Sequence, residues 1–163
     1  MEEQISDLLG ILQEESSLYR DIIEHAKKKT ALLARGRIEA IQESNKVEET
    51  FNIKIRFLED AKKRLCSEIC TIVGIDRKEF TLTKLAENLE QPAATELKIQ
   101  TELLREIVMQ LKAVSRRNLQ LIEKSVKYSQ GLLGLVSNAT SSYQRTGLFR
   151  SIPAVQPTFS HRA

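Results

Sequence analysis

The stretch SRRNLQLIEKSVKYSQGLLGLV, residues 115–136, decides the fold of this chain, because its apolar residues follow a heptad spacing. With the residue before it, the stretch contains seven positions at alternating steps of four and three: Val114, Asn118, Leu121, Ser125, Tyr128, Leu132 and Leu135. This spacing predicts one stripe along a long helix that packs against other helices. Asn118 and Ser125 are short and polar where a purely structural helix would carry Leu. Such interruptions favour a helix that selects its partner or exchanges it.

The same periodicity predicts two further long helices. The first covers Glu2–Ala34 and the second residues 38–72, and Gly36 between them is suited to a helix C-terminus. Seven apolar residues form the predicted seam of the second helix: Ile38, Ile41, Ile55, Leu58, Leu65, Ile69 and Ile72. Near-equal lengths favour an antiparallel hairpin, although a single Gly also permits one continuous kinked helix.

A short helix and a last long helix complete the prediction. Gly74 ends the second helix, and Asp76 and Glu79 then have the spacing of a capping box that begins a short helix within residues 80–89. Pro92 breaks the chain, and the last helix covers residues 94–136.

The composition changes at residue 137, where a segment rich in Ser and Thr and without periodicity begins. It predicts a flexible tail. Its apolar residues are either a linear motif that orders on binding or a chance scatter. We therefore expect an all-α fold, an elongated antiparallel helical bundle or coiled coil of three long helices plus one short helix. The helical domain would cover residues 1–137 and the flexible C-terminal tail residues 138–163.

Composition and charge limit the classes of function that are possible. Aromatic residues are only 5% of the chain, and Gly and Pro number 6 and 3, which suits long helices with a narrow seam. The 25 basic residues exceed the 22 acidic ones only through three arginines of the acid-free tail, so the rest of the chain is neutral. A dedicated nucleic-acid binder would carry a basic face. We expect no nucleic acid, and we interpret the basic runs at 27–29 and 116–117 as solvated helix faces.

The chain shows no catalytic or metal-binding motif. It has no P-loop, GxGxxG, HExxH or GxSxG sequence. His25 and the carboxylate pairs at 14–15 and 48–49 are interpreted as solvated side chains, and Cys66 and Cys70 as buried or half-buried thiols. We therefore expect no enzyme activity, no cofactor and no metal.

The acidic start MEEQISDLLGILQEES does not have the pattern of a secretory signal, and no apolar run is long enough for a membrane span. A cytoplasmic protein without stable membrane insertion is expected.

Three segments resemble the FlgN family of flagellar type III export chaperones. Residues 8–49, LLGILQEESSLYRDIIEHAKKKTALLARGRIEAIQESNKVEE, resemble the family's opening, with Leu pairs, an ALL-x-x-G turn and a helix rich in Ile, Glu and Asn. Residues 116–136 resemble its N-x-x-L-(L/I)-x-x-S stretch followed by an apolar LL-x-L, and YQRTG at 143–147 matches its Tyr followed shortly by Gly. Two departures are Arg37, where many relatives have an acid, and Gln144 with Arg145, where small or acidic residues are usual.

The resemblance implies a function in flagellum assembly. Members hold the hook-associated proteins FlgK and FlgL by their C-terminal helical regions, prevent premature assembly and deliver them to the export gate protein FlhA. An apolar helix face suits the capture of a substrate helix. Six residues are the candidate substrate-binding surface: Val126, Tyr128, Leu132, Leu133, Leu135 and Val136. Tyr143 and Gly147 are the candidates for export-gate docking. For Leu132 and Leu135, packing in the core of the bundle is an equal alternative to substrate binding.

A structural coiled-coil scaffold or adaptor is the rival interpretation. A permanent scaffold would have few polar breaks in its seam and an inert tail. The polar seam residues favour exchange of partners instead: Asn45, Glu48, Asn118 and Ser125. The sequence leaves open whether the chain is a monomer or a homodimer.

Overall fold

The first two long helices are joined by a tight turn at Gly36. In the computed structural model, which describes residues 1–76 and 78–142, with backbone only at 135–142, α1 covers Glu2–Ala34 and α2 covers Ile38–Val73. Gly36 has a φ of +63°, a left-handed conformation that Gly adopts without the steric penalty of a Cβ atom. The backbone therefore reverses within three residues, as the turn chemistry predicts.

Pairing across the turn shows that α1 and α2 are antiparallel. Lys62 meets Glu15 far from the turn, whereas Glu48 meets Lys29 close to it. Residues later in α2 therefore pair with residues earlier in α1, as they do in an antiparallel arrangement. The hairpin prediction is confirmed, and the continuous kinked helix is excluded.

A turn and a short helix follow α2. Gly74, with a φ of +75°, ends α2 by donating its amide to the Cys70 carbonyl at 2.9 Å. Helix α3 covers Leu82–Glu87, and its N-cap is Thr81, whose hydroxyl accepts from the Lys84 amide at 3.1 Å. The predicted Asp76 capping box is therefore wrong.

Asp76 closes a local turn instead of capping a helix. Its carboxylate accepts from the amide of Lys78 and its carbonyl accepts from the amide of Glu79, each at 2.9 Å. Short polar side chains that bond to nearby amides in this way stabilise turns in competition with helix starts.

The last helix, α4, covers Ala93–Ser142 and so extends beyond the predicted end at residue 136. It begins directly after Pro92, whose carbonyl accepts from the amides of Thr95 and Glu96. The structure thus confirms an all-α fold, with three long helices and one short one among the described residues. Residues 143–163 of the predicted tail lie outside the described part of the chain.

The chain divides into two compact units, the first covering Met1–Leu121 and the second beginning at Ile122. In the first unit, the start of α1, the end of α2, α3 and the start of α4 share one apolar core. Eight buried residues form it: Ile5, Leu8, Leu9, Leu12, Ile69, Leu85, Ala86 and Leu97. Burying a side chain the size of Leu contributes about 1.5–3 kcal/mol. This end of the unit therefore supplies much of its stability.

The ends of the α2 seam differ from the prediction. Ile38 and Ile72 are 68% and 52% exposed, whereas Val73 packs against the core. A straight helix drifts by roughly 20° per heptad relative to a strict seven-residue repeat, so the buried stripe passes from position 72 to 73. Ile38 is the first residue of α2, so no preceding part of the helix covers its side chain.

Candidate functional site

The second part of α4 presents its apolar side chains to solvent. Every described side chain from Ile122 to Gly134 is exposed, including four of the predicted substrate-binding residues. Val126 and Leu132 are 49% and 45% exposed, and Tyr128 and Leu133 are both 69% exposed. Leu132 is therefore not bundle core. Soluble proteins rarely expose several large apolar side chains together unless the surface binds something.

These exposed residues share one broad face of the helix. At 3.6 residues per turn, Ile122, Val126 and Leu133 form one stripe, and Tyr128 and Leu132 form a neighbouring one. The small residues Ser125 and Ser129 lie between the two stripes, and Glu123, Lys124 and Lys127 lie on the opposite side. The described stretch is amphipathic, with an apolar face wide enough to pack against a partner helix. We call the face formed by Ile122, Val126, Tyr128, Leu132 and Leu133 the apolar face.

The other predicted site residues are described less fully or not at all. Leu135 and Val136 lie within α4, but their side chains are outside the described part of the structure. Tyr143 and Gly147, the predicted docking residues, follow the last described residue. The structure therefore places four of the six substrate-binding candidates together on one exposed face of α4.

Asn118 fixes α4 to α1 within the first unit, just before the apolar face begins. Its side chain is buried, and its amide nitrogen donates to the carbonyl of Ala26 at 2.9 Å. Its amide oxygen accepts from the hydroxyl of Thr30 at 2.6 Å. The predicted polar interruption of the heptad is thus a hydrogen-bonded contact that specifies where α4 lies against α1.

Two charged side chains that were predicted to be solvated are buried in the α1–α2 seam. Glu15 is 2% exposed, and the ammonium of Lys62 lies 2.5 and 2.7 Å from its two carboxylate oxygens. Lys29, the last residue of the basic run at 27–29, is 8% exposed and donates to Glu48 and Asn45. Glu15 and Lys29 are buried for the same reason. Each faces a side chain of opposite charge on the antiparallel helix α2, and a buried charge is tolerated when it is paired in this way.

His25 also differs from its prediction as a solvated side chain. It is half-buried between α1 and α2, where its ring nitrogen lies 2.8 Å from the hydroxyl of Ser44. Its ring packs edge-on against Phe51 with centroids 5.6 Å apart. These contacts join two helices, which gives His25 a structural role.

Burial affects two further groups along the same seam. It raises the pKa of the Tyr19 hydroxyl, and the nearby Glu15 carboxylate raises it further. Burial also raises the pKa of the Cys66 thiol, which Lys62 partly offsets. Cys66 is half-buried and Cys70 buried, and both are free, as predicted. A raised pKa keeps Cys66 protonated and therefore poorly nucleophilic.

Within the described residues, no group of three or more His, Cys, Asp and Glu side chains is arranged to hold a metal ion. Nor does any described helix combine the length and the apolar character needed to cross a membrane.

Comparison with known proteins gives a match to a family model. The family model described as FlgN protein matches residues 1–150. This range includes all four helices of the described residues and confirms the resemblance seen in the sequence. No curated protein and no solved structure matches the chain.

Proposed function

Because this chain belongs to the FlgN family of flagellar export chaperones, we propose that it binds the hook-associated proteins FlgK and FlgL in the cytoplasm. It covers their C-terminal helical regions, prevents their premature assembly and delivers them to the export gate protein FlhA. No step in this function requires catalysis or a cofactor.

The exposed apolar face of α4 is the observation that supports this proposal. Its five described side chains are between 38% and 69% exposed, so a bound helix can still remove much of their surface from water. Full burial of one such side chain contributes about 1.5–3 kcal/mol, and these partly exposed ones contribute correspondingly less each. Several together provide affinity for the apolar side of an amphipathic substrate helix. Leu135 and Val136 extend the proposed surface.

Co-purification of FlgK and FlgL with variants of the full-length chain tests the site. Leu133→Glu places a charge on the apolar face, and we expect it to weaken capture by roughly tenfold or more. Met109→Glu is the matched control, because Met109 lies on the same helix, is 65% exposed and belongs to the first unit. Equal loss in both variants would contradict the placement of the site.

A truncation provides the second arm of this test. Removing residues 122–163 leaves the contacts of Asn118 with α1 in place and deletes the apolar face. We expect a folded helical protein that captures neither substrate. Capture of both by the truncated protein would move the site elsewhere, and capture of neither by the full-length chain would favour the scaffold interpretation.

Tyr143 and Gly147 are proposed to dock to FlhA. Their support is the family-like YQRTG segment, which follows the helix that carries the substrate surface. Tyr143→Ala should weaken binding to the cytoplasmic domain of FlhA and leave capture of FlgK and FlgL unchanged. A titration with equal FlhA affinity for variant and parent would remove Tyr143 from the site.

A further inference from the structure

A groove lies in the first unit between the start of α1 and the connection from α3 to α4. Its volume is about 680 Å³, which is within the usual range for binding pockets. Ile5 and Leu9 from α1 and Leu89, Pro92 and Ala93 from the connection provide its apolar lining. The groove is separate in sequence from the apolar face of α4.

Gly10 leaves part of this groove open. It lies in the interior of α1 and lines the groove, and a Cβ atom built on it would meet no atom within 4 Å. Gly destabilises a helix interior relative to Ala, and neither a turn nor a close helix contact requires it at this position. The open space above Gly10 gives a ligand side chain access to the backbone of α1.

The charged side chains that line the groove are all negative. Three glutamates line it, Glu2, Glu90 and Glu96, and all three are exposed. None of the described residues that line it is Lys, Arg or His, and the amino group of Met1 is the cationic group nearby. Glu2 and Glu96 also lie in the first turns of α1 and α4, where a carboxylate interacts favourably with the positive end of the helix dipole.

We propose that this groove binds a basic amphipathic segment of a partner protein. Apolar side chains of that segment enter the space above Gly10, and its Arg or Lys side chains pair with the three glutamates. Charge complementarity selects this occupant, because an acidic or neutral apolar segment would leave the glutamates desolvated without partners. The site goes beyond substrate capture by α4 and does not depend on it.

Two synthetic peptides test the chemistry of the groove. One is an amphipathic helix of Leu, Ala and Arg, and the other has Glu in place of each Arg. We expect only the Arg peptide to bind the full-length protein at low salt, with amide shift changes at Leu9, Gly10 and Glu96. No binding of the Arg peptide, equal binding of both, or shift changes confined to α4 beyond Leu121 would overturn the proposal.

Variants at Gly10 separate the groove from the rest of the fold. Gly10→Gln fills the open space and should weaken binding of the Arg peptide by about tenfold or more, whereas Gly10→Ala leaves most of the space open and should bind nearly as the parent does. Capture of FlgK and FlgL should be unchanged in both, so failure here is distinguishable from failure of the proposed chaperone function. Self-association of the parent without peptide, abolished by Gly10→Gln, would overturn the proposal in favour of a second copy of this chain.

Charge variants provide a matched control. Replacing the three groove glutamates by Gln should weaken peptide binding by at least about tenfold and reduce its salt dependence. The control replaces three exposed carboxylates away from the groove, with the same change in net charge: Glu39, Glu49 and Glu68. Equal losses in the two triple variants would show a general effect of net charge and would overturn the site. Thermal unfolding of both variants verifies that they remain folded.

Discussion

Replacing Lys62 by Met should strongly destabilise the first unit. The Glu15 side chain is 3% exposed and the Lys62 side chain 28% exposed, with oxygen–nitrogen distances of 2.5 and 2.7 Å. Met is unbranched and shorter than Lys by only the terminal nitrogen, so the substitution removes the charge and leaves Glu15 buried without its partner. Breaking a buried ion pair in this way costs about 3–5 kcal/mol. Because water reaches part of Lys62, we expect the lower end, about 3 kcal/mol.

Urea unfolding, monitored by the circular dichroism signal of the helices, measures this loss in the free energy of unfolding. Lys46→Met is the matched control, since Lys46 and Glu43 form an ion pair with side chains 72% and 70% exposed. Exposed pairs contribute little, so this control should change stability by less than about 0.5 kcal/mol. A Lys62→Met loss below about 1 kcal/mol would refute the reasoning, because such a value is typical of a hydrated surface pair.

A double variant separates charge from packing. Glu15→Met with Lys62→Met replaces the pair by apolar side chains of similar length, and stability should return to within about 1 kcal/mol of the parent or exceed it. If the double variant is as unstable as Lys62→Met alone, the loss comes from packing and not from an uncompensated charge.

Three further outcomes follow from contacts in the first unit. Asn118→Ala should reduce the free energy of unfolding, measured in urea, by about 1–2 kcal/mol, because both hydrogen bonds of its amide are lost while the Thr30 hydroxyl can donate to the Ala26 carbonyl instead. Gly10→Ala should raise the stability of the same unit by about 1 kcal/mol, since its Cβ meets no neighbour. The raised pKa of Cys66 adds stability below the thiol's unfolded pKa of about 8.5. That contribution is lost as pH rises through the folded pKa, so parent and Cys66→Ala should differ in their stability-versus-pH curves above pH of about 8.5.

The bounds of α1 and α2 could be predicted because their signals are local. Periodic apolar residues, Gly36 and Gly74 define α1 and α2 to within one residue at each end. The start of α3 could not be predicted in the same way, because Asp76 and Thr81 are both good caps. Tertiary packing of α3 on the core decides between them, and that packing is not visible in local sequence.

The buried charges were missed although the sequence carried a signal for them. Glu15 and Lys29 occupy the same alternating steps of three and four as Leu8, Leu12 and Ala26, and are therefore on the α1 stripe. A charge on a stripe is normally interpreted as solvated because burial without a partner is unfavourable. Only the register of the α1–α2 hairpin shows that a side chain of opposite charge on α2 faces Glu15 and another faces Lys29. The apolar face of α4 was easier to predict, since it depends on one helix alone.

The charged pairs select one register of the hairpin among several that the apolar residues permit. A slip of one heptad would keep a heptad seam but move Lys62 from Glu15 to Leu8 or Ile22, and Glu48 from Lys29 to Ile22 or Gly36. Each slipped register buries unpaired charges, which costs several kcal/mol. The native register also leaves the Ala26 carbonyl and the Thr30 hydroxyl where Asn118 bonds to them. The polar seam residues thus fix both the hairpin and the point at which α4 is anchored before its apolar face begins.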